Sequence, residues 1–291
     1  MKKWMYNVMI GVFAAVFLVS VGLLARYYID AWIQEKRYDE LSQMKESVER
    51  PPIPEDSQTE DTSDTSDTSE TTESTQATEP PAPTVPQYTS IIDPETGDMF
   101  MLLPEFKDLY LANKDIVGWI TIPGTKVDYP VMQTPDDPDY YLYRNFDKQE
   151  NNRGCLYIWP ETDVFAPSDN VTIYGHHMQD GTMFGQLEKY QFADFRNEHP
   201  YVYFDTLTQR HTYEIVYVIR TTATVGEGFP YHSYIDFESE AQFNAFTKQC
   251  RRLRYYDSGV SVEYGDKLIC LSTCWYTMTN GRFVVIAKQV A

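Results

Sequence analysis

"KLICLSTCWYTMTNGRF" (Lys267–Phe283) is an apolar, alternating run that delivers a cysteine, Cys274, and reaches an arginine, Arg282, eight residues later. Side chains alternate between the faces of a strand, so Cys270, Ser272 and Cys274 fall on one face. The surrounding chain has the same texture. "VGWITIPGT", "KVDYPVM", "CLYIW", "NVTIYGH", "YVYFDT", "RHTYEIVYVIRTT", "VSVEY" and "RFVVIAKQV" are short, β-branched or aromatic, and separated by Gly, Asp, Asn and Pro. This predicts an all-β barrel or sandwich. Two helical stretches interrupt it. "PEFKDLYLANKD" sets Phe106, Leu109 and Tyr110 on one face after Pro104, and "SEAQFNAFTKQCRRL" spaces Ser239 and Gln242 as a capping box before a stripe of Phe243, Phe246, Cys250 and Leu253.

Further out, the chain stops looking like a packed fold. Trp4 to Ala25 carries no charge, and 22 helical residues span about 33 Å, enough for a bilayer core. The run is longer than a signal-peptide core and predicts an uncleaved anchor, although Ser20 and Gly22 would suit a signal peptidase. Lys2 and Lys3 point the N-terminus inward, while Arg26, Lys36 and Arg37 blunt the asymmetry. The expected organisation is a cytoplasmic N-terminus and anchor over 1–29, a juxtamembrane helix over 30–50, a disordered acidic Ser/Thr/Pro-rich linker over 51–87 and an extracytoplasmic domain over 88–291. The linker repeats "DTS" and has nothing to bury. As a coil it would average about 35 Å end to end, a tether reaching from membrane to domain.

The net charge of −19 is concentrated in that linker: residues 51 to 106 hold thirteen Asp/Glu and no Lys/Arg. Only "CRRLR" (Cys250–Arg254) is locally basic, which excludes the basic stripe that nucleic acid requires. The four cysteines are too few and too irregular for a disulfide scaffold, and none forms a C-x-x-C pair. Cys155, Cys250 and Cys270 read as small buried hydrophobes. Cys274 is the one placed to react.

A thiol attacks as thiolate and needs an imidazole to exchange its proton and a donor for the oxyanion it creates. Among five histidines, "YGHHMQDGTMFGQLEKY" brings His176 and His177 out at the end of a β-type run. Taken alone, a "GHH" is more often surface or core than catalytic. A metal reading is weaker still, since adjacent strand residues point apart and no third ligand sits at metal spacing. Arg282 would ordinarily pair with a carboxylate, but beside a thiolate and a carbonyl it becomes an oxyanion donor of fixed charge.

In combination, "YGHHMQDGTMFGQLEKY", the later "LSTC" and the arginine eight residues beyond it resemble the class B sortases of Gram-positive bacteria. The resemblance extends through "DIVGWITIPGTKVDYPVMQ", "DYYLYRNFDKQENNRGCLYI", the helix near Ser239 and "RFVVIAKQV", covering nearly all of 105–291. It implies a closed eight-stranded sortase-type β-barrel with an N-terminal helical segment and a long helix between strands 6 and 7, here Ser239 to Leu253, preceded by one transmembrane helix. It further implies Cys274 as nucleophile, His176 as general acid/base and Arg282 as oxyanion and substrate clamp. Leu142, Tyr174, Ser272 and Thr273 fall where the family lines its substrate groove.

The implied reaction is a transpeptidation needing neither metal nor organic cofactor. A surface protein bearing a C-terminal sorting signal is cleaved to a thioacyl enzyme, then joined to the amine of a peptidoglycan precursor or cross-bridge, or to a pilin lysine. Membrane lipid would be met through residues 4–25, and the topology would be single-pass type II in the cell membrane. The rivals are a cysteine endopeptidase that releases substrate to water and a non-catalytic wall-spanning binding module. The family motif T-L-x-T-C carries Cys270 at its first position, a tolerated small replacement, and Trp275 and Tyr276 follow where some class B members are acidic, a departure that bears on substrate preference.

Overall fold

The computed structural model describes residues 3–45, 87–93 and 96–291. Residues 51–86 of the expected 51–87 linker and 46–50 of the expected 30–50 helix lie outside them. A two-stranded hairpin, β1 (Thr89–Ile92) and β2 (Met99–Leu102), leads through a 3₁₀ turn, Pro104–Phe106, into the short α2 (Lys107–Ala112), whose Phe106 and Leu109 are fully buried. Eight strands follow: β3 (Ile116–Thr121), β4 (Asp128–Met132), β5 (Leu156–Ile158), β6 (Asn170–Tyr174), β7 (Tyr201–Thr206), β8 (Arg210–Thr222), β9 (Leu268–Trp275) and β10 (Gly281–Gln289). They close into a barrel in the order β10-β8-β7-β3-β4-β5-β6-β9. All pairs are antiparallel except β4 with β5 and β6 with β9.

Of nine predicted strands, "VSVEY" (260–264) is the one that does not form. Both edges of β8, β9 and β10 are taken once the barrel closes, so no ladder is left for it to join. Its valines keep a use: Val260 and Val262 pack against the apolar cluster outside the barrel.

Alternation along β9 and β10 divides the core in two. Ile269 and Leu271 of β9, with Phe283, Val285 and Ala287 of β10, point into the barrel and join Trp119, Val171 and Ile173. Leu268 and Cys270, with Val284 and Ile286, point outward. That outer surface is covered by α4 (Glu240–Leu253), which connects β8 to β9 and lays Phe243, Phe246 and Cys250 on it. The helix begins as its sequence demands: Ser239 Oγ accepts from the Gln242 amide. Gln242 Oε1 reaches back one residue further than a capping box would, accepting from the Glu238 amide at 2.8 Å. Remaining turns include α3 (Ala193–Glu198) and a 3₁₀ turn at Tyr140–Tyr143.

At the N-terminus, α1 runs unbroken from Lys3 to Met44. Among the described residues it is the one helix long and apolar enough to cross a membrane, and its apolar stretch is exposed throughout. The predicted anchor and juxtamembrane helix are thus a single rod, and its last turns pack on the barrel with Tyr38 and Leu41 buried. These contacts seat the barrel directly on the C-terminal turns of α1.

Cys155, Cys250 and Cys270 are buried free thiols. Burial pushes the thiols of Cys155 and Cys270 up, Cys155 to about 12, so neither supplies thiolate near neutral pH. Replacing Phe246, fully buried between α4 and the outer face of β8 to β10, by Ala should cost about 3–5 kcal/mol in chemical denaturation, with the midpoint shifting at constant m-value.

Candidate active site

The site is assembled by register. Within the antiparallel pair β9–β10, Cys274 and Arg282 are direct cross-strand partners. Both lie on the outward parity, that of Cys270 and Val284, so their side chains rise from the same face of the barrel wall. Cys274 is partly exposed, unlike the other three cysteines. Arg282 Nη1 donates to the backbone carbonyls of Gly281 at 3.0 Å and Asn280 at 3.4 Å, with no carboxylate among these partners.

On the opposite edge, β9 runs parallel to β6, with Tyr174 aligned to Ser272. The chain holds this alignment past the strand end. Gly175 N donates to the Ser272 carbonyl at 3.1 Å, and Thr273 Oγ1 donates to the Gly175 carbonyl at 2.7 Å. Carrying the same offset two residues on sets His176 beside Cys274, and its parity is that of Tyr174, outward. Glycine at 175 is required here, because a Cβ would lie 2.3 Å from Leu156 Cδ2 and 2.8 Å from the Phe184 ring. His176 Nε2 is hydrogen-bonded to the Leu142 carbonyl at 2.7 Å, and the Tyr143 ring lies against the imidazole with centroids 5.5 Å apart. A backbone acceptor on one ring nitrogen places the proton there and leaves the other as the base.

The four predicted groove residues divide. Leu142 contributes through its carbonyl, and Tyr174 stands partly exposed between Tyr157 and Trp159, stacked on both at 5.5 and 5.1 Å. Ser272 and Thr273 are about 2% exposed with both hydroxyls engaged, Ser272 with the Tyr231 hydroxyl and Thr273 with the His176 loop. They shape the wall rather than line an open groove.

Several contributors carried no sequence signal strong enough to single them out. Trp159 and His232 meet edge to face at 5.6 Å and extend the aromatic row from Tyr157 and Tyr174 along the face that bears Arg282. Burial, and after it the Arg282 charge, lowers the proton affinity of His232, keeping that imidazole neutral beside the guanidinium. His177 takes the other side: Nδ1 bonds the Cys274 carbonyl at 3.0 Å, Nε2 sits 3.3 Å from Glu188, and its own carbonyl accepts from the Tyr276 hydroxyl. Strand alternation could have separated the two histidines, since neighbours point apart; nothing in one sequence says which faces the thiol.

The loop after His177 is tied down by Arg153, which donates to Thr182 Oγ1 and pairs with Asp180 at 2.6 Å. Among the described residues no group of three or more His, Cys, Asp or Glu could hold a metal ion. What remains is a half-exposed thiol with a guanidinium across the strand pair and an oriented imidazole at its parallel edge. That set suits nucleophilic attack on a carbonyl with proton transfer to the leaving group.

Comparison with known proteins identifies the family. A Sortase domain model matches residues 120–290. Sortase B of Staphylococcus aureus (strain NCTC 8325 / PS 47) is 33% identical over 191 residues, covering 64% of this chain and 75% of that protein. Sortase B of Listeria monocytogenes serovar 1/2a is 34% identical over 189 residues, covering 64% and 74%. Among solved structures, a Staphylococcus aureus sortase B–substrate complex superposes with a TM-score of 0.60 at 31% identity, covering 65% of this chain and 86% of that one.

The Asp180 carboxyl gives a test of the loop. Burial alone would raise it, but hydrogen bonds from Arg153 and Thr182 bring it down to about 2 from its ordinary 3.8. A folded value below the unfolded one adds stability that is complete above the unfolded value and is lost as pH falls through the folded one. Thermal unfolding of the wild type should therefore fall more steeply than that of Asp180→Asn between about pH 4 and 2, and the two curves should run parallel above pH 5.

Proposed function

Because this chain belongs to the class B sortases and is a sortase-type cysteine transpeptidase, we propose that Cys274, His176 and Arg282 carry its reaction on the C-terminal sorting signal of surface proteins. The observation that carries the assignment is the register pairing of Cys274 with Arg282, on the face toward which β6 delivers His176. The Cys274 thiolate attacks the amide carbonyl of the scissile bond and forms a carbon–sulfur bond. The Arg282 guanidinium stabilises the oxyanion with two donors of fixed charge. The carbon–nitrogen bond then breaks, and the departing amine leaves with a proton from His176.

A thioester on Cys274 results. An incoming amine attacks it, gives a proton back to His176 and departs as an amide, restoring the Cys274 thiolate beside a protonated imidazole. The acceptor on this reading is an amine of a peptidoglycan precursor or cross-bridge, or a pilin lysine. A substrate-complex structure for the staphylococcal relative supports a peptide substrate in general terms. The row Tyr157, Tyr174, Trp159 and His232 offers flat apolar faces along which an extended signal can lie. With the charged N-terminus inside the cell and α1 as the anchor, the barrel stands outside the membrane in type II orientation.

Intact mass spectrometry tests this directly. Incubated with sorting peptides, the wild type should gain the mass of the acyl fragment and Cys274→Ala should gain none; an equal adduct on the variant would remove Cys274 from the mechanism. Arg282→Lys keeps the charge but loses the fork, and should lower kcat/KM about 10²-fold. Adding a free amine should divert the product from acid to amide, whereas product that stays hydrolysed at saturating amine would make the enzyme a peptidase.

A further inference from the structure

The docked end of α1 touches the barrel at several places, through Ser42 to Asp128 and Lys45 to Asp205 among others, and one of them is the loop that also holds His176. Between β4 and β5 the chain passes through the turn at Tyr140–Tyr143 and then a small hairpin, in which Arg144 bridges Glu150 and Asn151 N donates to the Tyr143 carbonyl. The inner side of this loop presents the Leu142 carbonyl to His176 Nε2 at 2.7 Å. Its outer side is gripped by the helix. Arg37 makes a two-pronged pair with Asp147, Nε to Oδ2 at 2.9 Å and Nη2 to Oδ1 at 2.6 Å. Gln34 Oε1 accepts from Asn151 at 3.2 Å and from Asn145 at 3.4 Å.

Tyr38 makes the deepest contact. Its ring is buried, and its hydroxyl donates to the Gly154 carbonyl at 2.9 Å. Gly154 is pressed against the turn that carries Leu142. It has φ of 57°, and a Cβ there would lie 2.4 Å from the Leu142 carbonyl oxygen and 2.5 Å from that of Tyr141. The path from helix to imidazole therefore runs from the Tyr38 hydroxyl through Gly154, which leaves no room for a side chain beside Leu142, to the Leu142 carbonyl and His176. A second strut runs beside it, since Arg153 links the same loop to Asp180 and Thr182 in the segment after His177.

We propose that the anchor helix is a positioning element of the catalytic site: Arg37 and Tyr38 hold the 140–155 loop so that the Leu142 carbonyl fixes the tautomer and angle of His176. This rests on the reading of His176 as the general acid and base. It assigns α1 a role beyond retention at the membrane. Gln34 lies nine residues past Ala25, so the grip begins about 14 Å from the end of the apolar run and the active face is held at a set height and orientation.

The test uses the full chain in detergent micelles, labelled with 15N-histidine, comparing wild type, Tyr38→Phe, Arg37→Asp and the charge exchange Arg37→Asp with Asp147→Arg. Two quantities are read: kcat and KM for acyl transfer from a sorting peptide, and the 15N shifts and titration midpoint of His176. Tyr38→Phe and Arg37→Asp should lower kcat about tenfold with KM unchanged, because a displaced proton donor is a transition-state defect, and should move the His176 signals. The charge exchange should restore both. His176 signals and kcat that stay at wild-type values in both single variants, even with a lowered melting temperature, would reduce the contact to ordinary stabilisation and overturn the proposal. Should the wild type take up no acyl group, the functional reading fails, yet the His176 signals still decide whether the helix braces the imidazole.

Discussion

Everything in the site depends on β9 being hydrogen-bonded on both edges. Its antiparallel neighbour β10 returns after a tight turn and sets Arg282 opposite Cys274. Its parallel neighbour β6 arrives from about a hundred residues earlier and sets Gly175 against Ser272. With both ladders fixed, the two-residue period leaves no freedom in facing: the alternation that sends Ile269, Leu271 and Phe283 into the barrel sends Cys274 and Arg282 out. A slip of one residue would turn the thiol into the core and carry Leu271 out to the face covered by α4. The apolar packing inside the barrel is therefore also what aims the nucleophile.

The same constraint separates the two histidines. His176 follows the outward parity of Tyr174, while His177 turns to the Cys274 carbonyl and Glu188. One imidazole lies toward the face of Cys274 and Arg282, and its neighbour stitches the loop to the strand that bears the thiol. Thr273 completes that seam from the inner face, through the Gly175 carbonyl. The segments thus cross-brace one another.

Charge is arranged in step with this. Among the described residues the Arg282 guanidinium hydrogen-bonds to backbone carbonyls and to no carboxylate, and it lies near a histidine held neutral. The buried thiols of Cys155 and Cys270 are pushed up by burial, which leaves the half-exposed Cys274 as the thiol in contact with the outside. On the far side of the His176 loop, Arg37–Asp147 ties α1 to the 140–155 loop and Arg153–Asp180 ties that loop to the segment after His177.

By itself the sequence determined the periodicities and therefore the parts. The alternating runs name the barrel strands, the capping residue Ser239 and the Phe243/Phe246 stripe name α4, and the uncharged run from Trp4 names the apolar helix, since each signal is local and survives in any environment. The spacing from Cys274 to Arg282 was legible too, because a hairpin's register follows from its short connection. Tertiary structure alone decided the rest. "VSVEY" has strand composition but finds no free edge once the barrel closes; Ser272 and Thr273 belong to the motif yet lie buried under Tyr231 and Gly175; and the helix after the anchor docks on the barrel instead of merely leading to a tether. These outcomes turn on which edges remain unpaired and which surfaces meet across a hundred residues, and no local pattern records contacts made at that distance.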